Sequence, residues 1–214
     1  MVLTVYEIYQ SIQGESTHAG RPCVFVRLAA CDLRCVWCDT TYAFTGGRRM
    51  TVDDVLRDVE AFACPLVEVT GGEPLLQRDA VPLMEALLAR GRTVLLETGG
   101  HRSIDDVPDP VIVILDVKCP GSGEAARMHW PNLDQLSPHD EVKFVIADRA
   151  DFDYAACVVR THRLHERVAA VLFSPAHGVI APSDLAAWIL EARVPARLQL
   201  QAHKYIWSPE ARGV

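Results

Sequence analysis

Along this chain, short apolar runs rich in β-branched residues alternate with segments whose apolar residues recur at helical spacing. Near-continuous apolar strands separated by helices are typical of parallel βα units, so the sequence predicts an α/β fold. The predicted strands are Cys23–Leu28, Leu66–Val69, Thr93–Glu97, Val111–Asp116, Val142–Ile146, Val168–Phe173 and Arg197–Gln201. The predicted helices are Val52–Phe62, Asp79–Arg90, Ala150–His162 and Pro182–Ala192, with start signals at Thr51 and Ser183.

Polar motifs follow five of the predicted strands, at the point where each strand ends. In a (β/α) barrel these ends share one rim, where active sites lie. Gly and Pro end strands in any protein. Five successive motifs, each with a charge, a hydroxyl or an imidazole, nevertheless predict one shared site. The motifs are Thr70-Gly71-Gly72-Glu73-Pro74, Glu97-Thr98-Gly99-Gly100, Asp116-Val117-Lys118, Ser174-Pro175-Ala176-His177 and Ala202-His203-Lys204.

Length and charge narrow the possibilities further. The chain has 214 residues, fewer than the roughly 250 of a typical closed eight-fold barrel, so a shortened, open partial barrel is expected. No linker, repeat or charge run interrupts the pattern, and residues 1–214 are expected to form one domain. The net charge of −7 argues against a nucleic-acid partner. Without a long apolar stretch or a signal peptide, the protein is expected in the cytoplasm, away from membranes.

Three of the seven cysteines crowd into one short loop after the first predicted strand, as Cys31, Cys35 and Cys38 in the spacing C-x3-C-x2-C. In a cytoplasmic protein such a cluster predicts a metal centre before disulfides. A structural zinc site needs four ligands, and no second pair of cysteines follows. Three thiolates suit an iron–sulfur cluster with one iron left open. A zinc loop completed by a distant His or Cys remains the alternative. The other four cysteines are expected to be partly buried free thiols.

The cysteine loop, together with Gly71-Gly72-Glu73-Pro74 after the next strand, resembles the radical S-adenosylmethionine (SAM) superfamily. Over nearly the whole chain the sequence is similar to its 7-carboxy-7-deazaguanine synthase family. The shared segments are Ile12–Ser16, Arg27, Cys38-Asp39-Thr40, Thr70, Asp116–Lys118 and Gln201–Lys204. This resemblance implies conversion of 6-carboxy-5,6,7,8-tetrahydropterin to 7-carboxy-7-deazaguanine with loss of ammonia, in 7-deazapurine (queuosine) biosynthesis. It implies a radical SAM partial barrel, a homodimer, and a reductant protein such as flavodoxin or ferredoxin.

The resemblance also implies the cofactors and their residues. A 4Fe-4S cluster, SAM and Mg²⁺ are expected, and a 5′-deoxyadenosyl radical from SAM carries the chemistry in place of a catalytic side chain. Cys31, Cys35 and Cys38 would hold the cluster, and Thr40 would bind the Mg²⁺ that positions the substrate. The implied SAM residues are Gly72, Glu73, Glu97, Asp116, Val117, Lys118, Ser174, Pro175, Ala176 and His177. The implied substrate residues are Ile12, Gln13, Gly14, Glu15, Arg27, Thr70 and His203.

Several of these residues also have simpler explanations. Arg27 lies in an apolar strand, where a structural ion pair would account for it. Thr40 suits a turn, and Glu97 is compatible with a plain carboxylate inside the barrel. For the whole chain, two other functions remain open: an activase that makes a glycyl radical on a partner protein, and a non-enzymatic metal-binding module. The activase gives no reason for Arg27, the segment Gln13–Glu15 or Thr40, and the metal-binding module leaves the five polar strand ends unexplained.

Overall fold

The computed structural model describes all 214 residues and contains one nine-stranded sheet and six α-helices. The strands are β1 (Val2–Ile12), β2 (Pro22–Leu28), β3 (Arg48–Thr51), β4 (Leu66–Gly71), β5 (Thr93–Thr98), β6 (Ile112–Asp116), β7 (Glu141–Ile146), β8 (Ala170–Pro175) and β9 (Arg197–Leu198). The helices are α1 (Val52–Glu60), α2 (Ala80–Ala89), α3 (Asn132–Gln135), α4 (Arg149–Thr161), α5 (Pro182–Ala192) and α6 (His203–Ile206).

The order of the strands leaves the sheet open. They run β3-β1-β2-β4-β5-β6-β7-β8-β9, and the two outermost strands do not pair with each other. From β2 through β4 to β9 all neighbours are parallel, whereas β1 is antiparallel to both β2 and β3. The parallel strands therefore present their carboxyl ends at one edge. The predicted open α/β architecture is confirmed.

All seven predicted strands are present, but some boundaries were wrong and two strands were missed. The eighth strand covers Ala170–Pro175 in place of Val168–Phe173. The ninth stops at Leu198 because the chain then leaves the sheet, and the Ala202 amide donates to the Gly14 carbonyl at 2.9 Å. Both missed strands lie at the antiparallel end. Strand β1 mixes polar and apolar residues, and β3 is a short edge strand with exposed arginines.

The four predicted helices are present with small shifts at their ends. Helix α1 ends at Glu60 instead of Phe62, α2 lacks the predicted Asp79 and Arg90, and α4 covers Arg149–Thr161. Thr51 caps α1 as predicted, because its hydroxyl accepts from the Asp54 amide at 3.1 Å and the Asp54 carboxylate accepts from the Thr51 amide at 3.2 Å. Ser183 does not start α5. That helix begins at Pro182, where a proline costs no helical hydrogen bond.

The two faces of the parallel sheet differ in chemistry because neighbouring residues of a strand point to opposite sides. On β7, Phe144 packs edge-on against Phe173 of β8, which also contacts Phe152 of α4. Lys143 points to the opposite face, toward Glu97 of β5. One face is therefore packed against helices, and the other presents charged groups.

The remaining cysteines are all free. Cys23, Cys64 and Cys119 are buried, but Cys157 on α4 is exposed, so the expectation of partial burial is wrong for it. No helix in the structure combines the length and the apolar character needed to cross a membrane.

The capping box of α1 gives a first test. Replacing Thr51 with Ala removes the acceptor for the Asp54 amide, and we expect the free energy of unfolding to fall by about 1 kcal/mol. Urea denaturation of the purified protein measures this loss. Ser183→Ala is the matched control, because Ser183 is exposed and makes no capping hydrogen bond. Equal stability of Thr51→Ala and the wild type would contradict the role of the cap.

Candidate active site

The loops that follow β2 and β4 pack tightly against each other. A Cβ atom on Gly72 would lie 2.1 Å from the carbonyl oxygen of Ala30 and 2.9 Å from the Cβ of Cys31, so only glycine fits there. The amide of Glu73 donates to the same Ala30 carbonyl at 2.9 Å. The two motifs that carried the sequence resemblance thus touch at one edge of the sheet.

The three clustered cysteines line a half-buried loop, which we call the cluster loop (Cys31–Cys38). The loop turns where the Cys38 amide donates to the Cys35 carbonyl at 3.2 Å. No three histidine, cysteine or carboxylate side chains come together as ligands of a single metal ion. Three separate thiols beside an adjoining loop suit a cluster in which each cysteine binds a different iron.

A buried ammonium group organises the charged face of the sheet. Lys143 of β7 donates to Glu15, with Nζ 3.0 Å from Oε2, and also to Glu97 of β5. Glu97 in turn accepts from the hydroxyl of Thr70 at 3.2 Å. Thr70, Glu97 and Glu15, which the sequence analysis selected separately, therefore form one connected network.

The segment Gln13–Glu15 is held on this face by side chains from β4 and from the C-terminal part of the chain. Glu15 accepts from the amides of Gln199 and Gln201, at 3.2 and 3.1 Å. The Gln13 amide donates to the buried Glu68 of β4. Composition alone gives a surface turn here, but Gln13 is only 3% exposed.

Further contacts dock the C-terminal segment on Gly14 and on Asp39. A Cβ on Gly14 would lie 2.4 Å from Nδ1 of His203, so the imidazole packs directly against the glycine. Burial lowers the pKa of His203. Gln201 also donates to Asp39 at 3.2 Å, and Lys204 reaches the same carboxylate at 2.7 Å. The predicted substrate segments at 12–16 and near the C-terminus are thus joined to the residue that follows Cys38.

Charges in the network shift one another's pKa values. Burial lowers the pKa of Lys143, but Glu15 and Glu97 outweigh it and hold that pKa well above its usual range. Burial raises the pKa of Glu97, and Lys143 more than reverses this, so Glu97 stays ionised. For Glu68, burial and the nearby Glu97 and Glu15 charges all raise the pKa well above its ordinary value. Within this network the pKa of Glu68 is raised and that of Glu97 is lowered, so Glu68 takes up a proton more readily than Glu97.

Arg27 of β2 makes two side-chain hydrogen bonds within the protein. Its Nε donates to Glu7 of β1 at 2.7 Å, and its Nη2 donates to the Tyr9 hydroxyl at 2.8 Å. The structural ion pair is therefore real. Nη1 makes no hydrogen bond within the protein, which leaves one side of the guanidinium group for a ligand.

Glu73 is turned into the protein. Its fully buried carboxylate accepts from the Leu75 amide at 3.0 Å, the Thr98 hydroxyl at 2.8 Å and the Gly99 amide at 2.9 Å. These donors tie the Gly72 loop to the end of β5. The backbone of the loop faces the cluster loop, and a contact between Glu73 and SAM stays a prediction.

Asp116 and Lys118 lie at the end of β6 and pair with each other, with Nζ 2.7 Å from Oδ2. The other oxygen of Asp116 is buried without a hydrogen-bond partner. An unpaired buried acceptor is costly and fits a ligand hydroxyl that completes the site. Val117 between them is fully buried and takes part through its backbone, donating to the Lys143 carbonyl at 2.8 Å.

The side chains of Ser174–His177 make no hydrogen bond to the network around Lys143. Ser174 and Ala176 are buried at the end of β8, and the ring of His177 meets that of Tyr205. Thr40 lies near the other end of the rim and donates to its neighbour Asp39 at 2.9 Å. Its place two residues after Cys38 keeps it close to the cluster loop.

Two groups in this region escaped the sequence analysis. Lys143 stands alone in the apolar strand Val142–Ile146, and the argument applied to Arg27 would have selected it. Asp32, inside the cluster loop, contacts His101, Arg102 and Arg127. No local signal marks these partners, because they come from loops about 70 and 95 residues further along the chain.

Comparison with known proteins agrees with this geometry. A family model described as "Radical SAM superfamily" matches residues 26–160. The 7-carboxy-7-deazaguanine synthase of Koribacter versatilis is 51% identical over 99% of this chain and 100% of its own length. The chain belongs to the 7-carboxy-7-deazaguanine synthase family of radical SAM enzymes. The synthase of Chlorobaculum tepidum is 46% identical over 99% of this chain and 97% of its own length.

Solved structures support the fold of this synthase-family chain. QueE from Escherichia coli superimposes with a TM-score of 0.78 at 21% identity and covers 95% of both chains. SuiB from Streptococcus suis, solved with SAM bound, gives a TM-score of 0.58 at 13% identity, over 80% of this chain and 48% of its own. The family predicted from the cysteine loop and Gly71–Pro74 is confirmed. It implies an iron–sulfur cluster and SAM as cofactors, and favours the synthase over an activase or a structural metal module.

The proton held by Glu68 gives a second test. The folded-state pKa of this group lies above the unfolded one, so the folded protein binds the extra proton and the wild type loses stability as pH rises above about 4.5. Glu68→Gln keeps the neutral shape without the titration. Its stability relative to the wild type should therefore increase from pH 5 to pH 8, by about 1.4 kcal/mol for each unit of raised pKa.

Urea denaturation at the two pH values measures this difference. Glu85→Gln is the matched control, because Glu85 is exposed on α2. A difference between Glu68→Gln and the wild type that does not change with pH would show that Glu68 is ionised in the folded protein.

Proposed function

We propose that this protein converts 6-carboxy-5,6,7,8-tetrahydropterin to 7-carboxy-7-deazaguanine and ammonia, in 7-deazapurine (queuosine) biosynthesis. The observation that carries the proposal is the position of Gln201. Its amide donates both to Glu15, in the predicted substrate segment, and to Asp39, next to Cys38. The substrate segment and the cluster loop are therefore neighbours. Relatives of nearly equal length bear the name of this activity.

The residues at the rim fit the cofactors that the family implies. Cys31, Cys35 and Cys38 offer three free thiols, and the unpaired oxygen of Asp116 is suited to accept from a ribose hydroxyl of SAM. Lys118 beside it suits the carboxylate of the methionine moiety. When bound there, the cluster and SAM would supply radical chemistry at the substrate carbon that bears the carboxylate.

The protein's own contribution is to bind and orient the pterin. Glu15 is an acceptor for the amino-pyrimidine edge, and Lys143 fixes the direction of its carboxylate. Gln13, Gly14 and Ile12 offer backbone and amide groups along the same edge, with His203 packed behind Gly14. The free Nη1 of Arg27 suits the substrate carboxylate. These contacts hold the reacting carbon in one orientation, which is what a radical reaction needs for a single product.

The proposed Mg²⁺ site is the hydroxyl of Thr40. That hydroxyl donates to the adjacent Asp39 carboxylate at 2.9 Å, and Lys204 already compensates the carboxylate at 2.7 Å, so the hydroxyl oxygen is the group offered to the cation. Mg²⁺ takes oxygen ligands, keeps several waters and needs few protein groups. The cation would join the substrate carboxylate to the protein near Arg27. We also propose a homodimer and a flavodoxin- or ferredoxin-type reductant for this enzyme.

Anaerobic reconstitution with iron and sulfide tests the proposed function. Mass spectrometry of mixtures of the reconstituted protein with reductant, SAM, Mg²⁺ and carboxy-tetrahydropterin should detect 7-carboxy-7-deazaguanine and ammonia. Since the substrate equals the sum of these products in atoms, SAM should be recovered unchanged. If no product forms although the cluster is intact and reduced, the proposed function is wrong.

Removal of one thiol tests the cluster ligands. Cys35→Ala leaves only two of the three cysteines, and the reconstituted protein should lose the brown absorbance of the cluster and all product formation. Cys157→Ala is the matched control, because that thiol is exposed on α4, and it should keep both. Full absorbance of Cys35→Ala would show that the ligand assignment is wrong.

Removal of one hydroxyl tests the Mg²⁺ site. Thr40→Ala should raise the Mg²⁺ concentration needed for half-maximal product formation by about tenfold, while SAM binding stays unchanged. The neighbouring Thr41→Ala should behave like the wild type, since Thr41 is exposed in the turn that follows. A Mg²⁺ dependence equal to that of the wild type would remove Thr40 from the site.

A further inference from the structure

Asp32 follows the first cysteine of the cluster loop and gathers donors from two other loops of the rim. Its Oδ1 accepts from His101 Nε2 at 2.6 Å, and its Oδ2 accepts from Arg102 and Arg127 at 2.5 and 2.8 Å. Arg127 also donates to the Asp32 carbonyl at 2.5 Å. His101 and Arg102 follow β5, and Arg127 follows β6. Three loops therefore converge on one carboxylate beside Cys31.

His101 extends this contact to the loop that carries Gly72. The imidazole is 2% exposed, and its second nitrogen, Nδ1, is buried without a hydrogen bond and lies 3.6 Å from Glu73 Oε2. Glu73 is fixed in turn by Thr98 and Gly99 at the end of β5. The ring thus stands between the carboxylate next to Cys31 and the carboxylate of the Gly72 loop.

We propose that Asp32 is a positioning residue, which through His101 holds the cluster loop in register with the Gly72 loop and sets the charge around the cluster. The inference rests on the proposed function, because it assigns the cluster to one loop and SAM to the other. Asp32 touches neither group. It acts through Cys31 on one side and through His101 and Glu73 on the other.

The rest of the cluster loop is held independently of Asp32. The Arg34 amide donates to Glu124 at 2.6 Å, and the Val36 amide donates to the Ser122 carbonyl at 3.1 Å. Loss of the Asp32 carboxylate therefore loosens the start of the loop, where Cys31 lies, and leaves its second half attached. The carboxylate is 30% exposed, so its removal does not open the core.

The charges around Asp32 give the proposal a readout beyond stability. Two arginine side chains and His101 surround the Asp32 carboxylate. Asp32→Asn removes a negative charge near the cluster and leaves the arginines uncompensated, which favours the electron-rich reduced cluster. Arg127→Gln removes a positive charge and has the opposite effect.

The experiment uses Asp32→Asn, Arg127→Gln and Asp58→Asn. Asp58 is a matched control, because it forms an exposed ion pair with Arg48 away from the rim. In the metal-free proteins, alkylation of Cys31 followed by mass spectrometry should be about tenfold faster in Asp32→Asn than in the wild type, with Cys35 and Cys38 little changed. In the reconstituted proteins, spectroelectrochemistry should give a more positive reduction potential for Asp32→Asn and a more negative one for Arg127→Gln.

Electron paramagnetic resonance of the reduced cluster tests the link to SAM. The SAM concentration that half-saturates the spectral change should rise about tenfold in Asp32→Asn and stay unchanged in Asp58→Asn. A merely structural role would lower the melting temperature without shifting the potential or the SAM dependence, and that result would overturn the proposal. None of these readouts needs the pterin. If the wild type forms no deazaguanine but the variants show the expected changes in reduction potential and SAM dependence, the proposed reaction is rejected and the role of Asp32 is still supported.

Discussion

The ammonium group of Lys143, placed between Glu15 and Glu97, is the interaction on which the rest of the site depends. Burying a cation in a parallel sheet costs several kcal/mol unless carboxylates compensate it. Glu97 belongs to β5 of the same sheet, but Glu15 belongs to the segment after β1. Because Glu15 compensates the charge of Lys143, the segment Gln13–Glu15 lies over the charged face. The C-terminal segment then follows through Gln199 and Gln201.

The regular part of the fold could be predicted from the sequence because its periodicity is strong. The seven apolar strands, which have their carboxyl ends at one edge, and the four amphipathic helices are present. The antiparallel addition of β1 and β3 was missed, since β1 carries polar residues on both sides and β3 exposes Arg48 and Arg49. These two segments form strands because they pair with neighbouring strands, and their own hydrophobic pattern does not predict a strand. The end of β9 was wrong for a related reason: a tertiary contact with Gly14 takes the chain out of the sheet.

The candidate site, too, could be predicted from the sequence only in part. That Cys31 and Gly72 meet follows from the placement of both loops after neighbouring parallel strands. The direction of each side chain does not follow. Glu73 points into the protein toward Thr98 and Gly99, and Arg27 uses part of its guanidinium group on Glu7. The contacts of Asp32 were invisible in the sequence, because spacing carries no information on loops that meet only after folding.

An anaerobic crystal structure of the reconstituted enzyme with SAM and carboxy-tetrahydropterin tests most directly whether one charged face positions both ligands. We expect the pterin edge to lie against Gln13–Glu15 and its carboxylate to point toward Arg27, while Lys143 still bridges Glu15 and Glu97. A pterin bound away from the charged face, with Glu15 and Lys143 facing each other in an empty site, would contradict it.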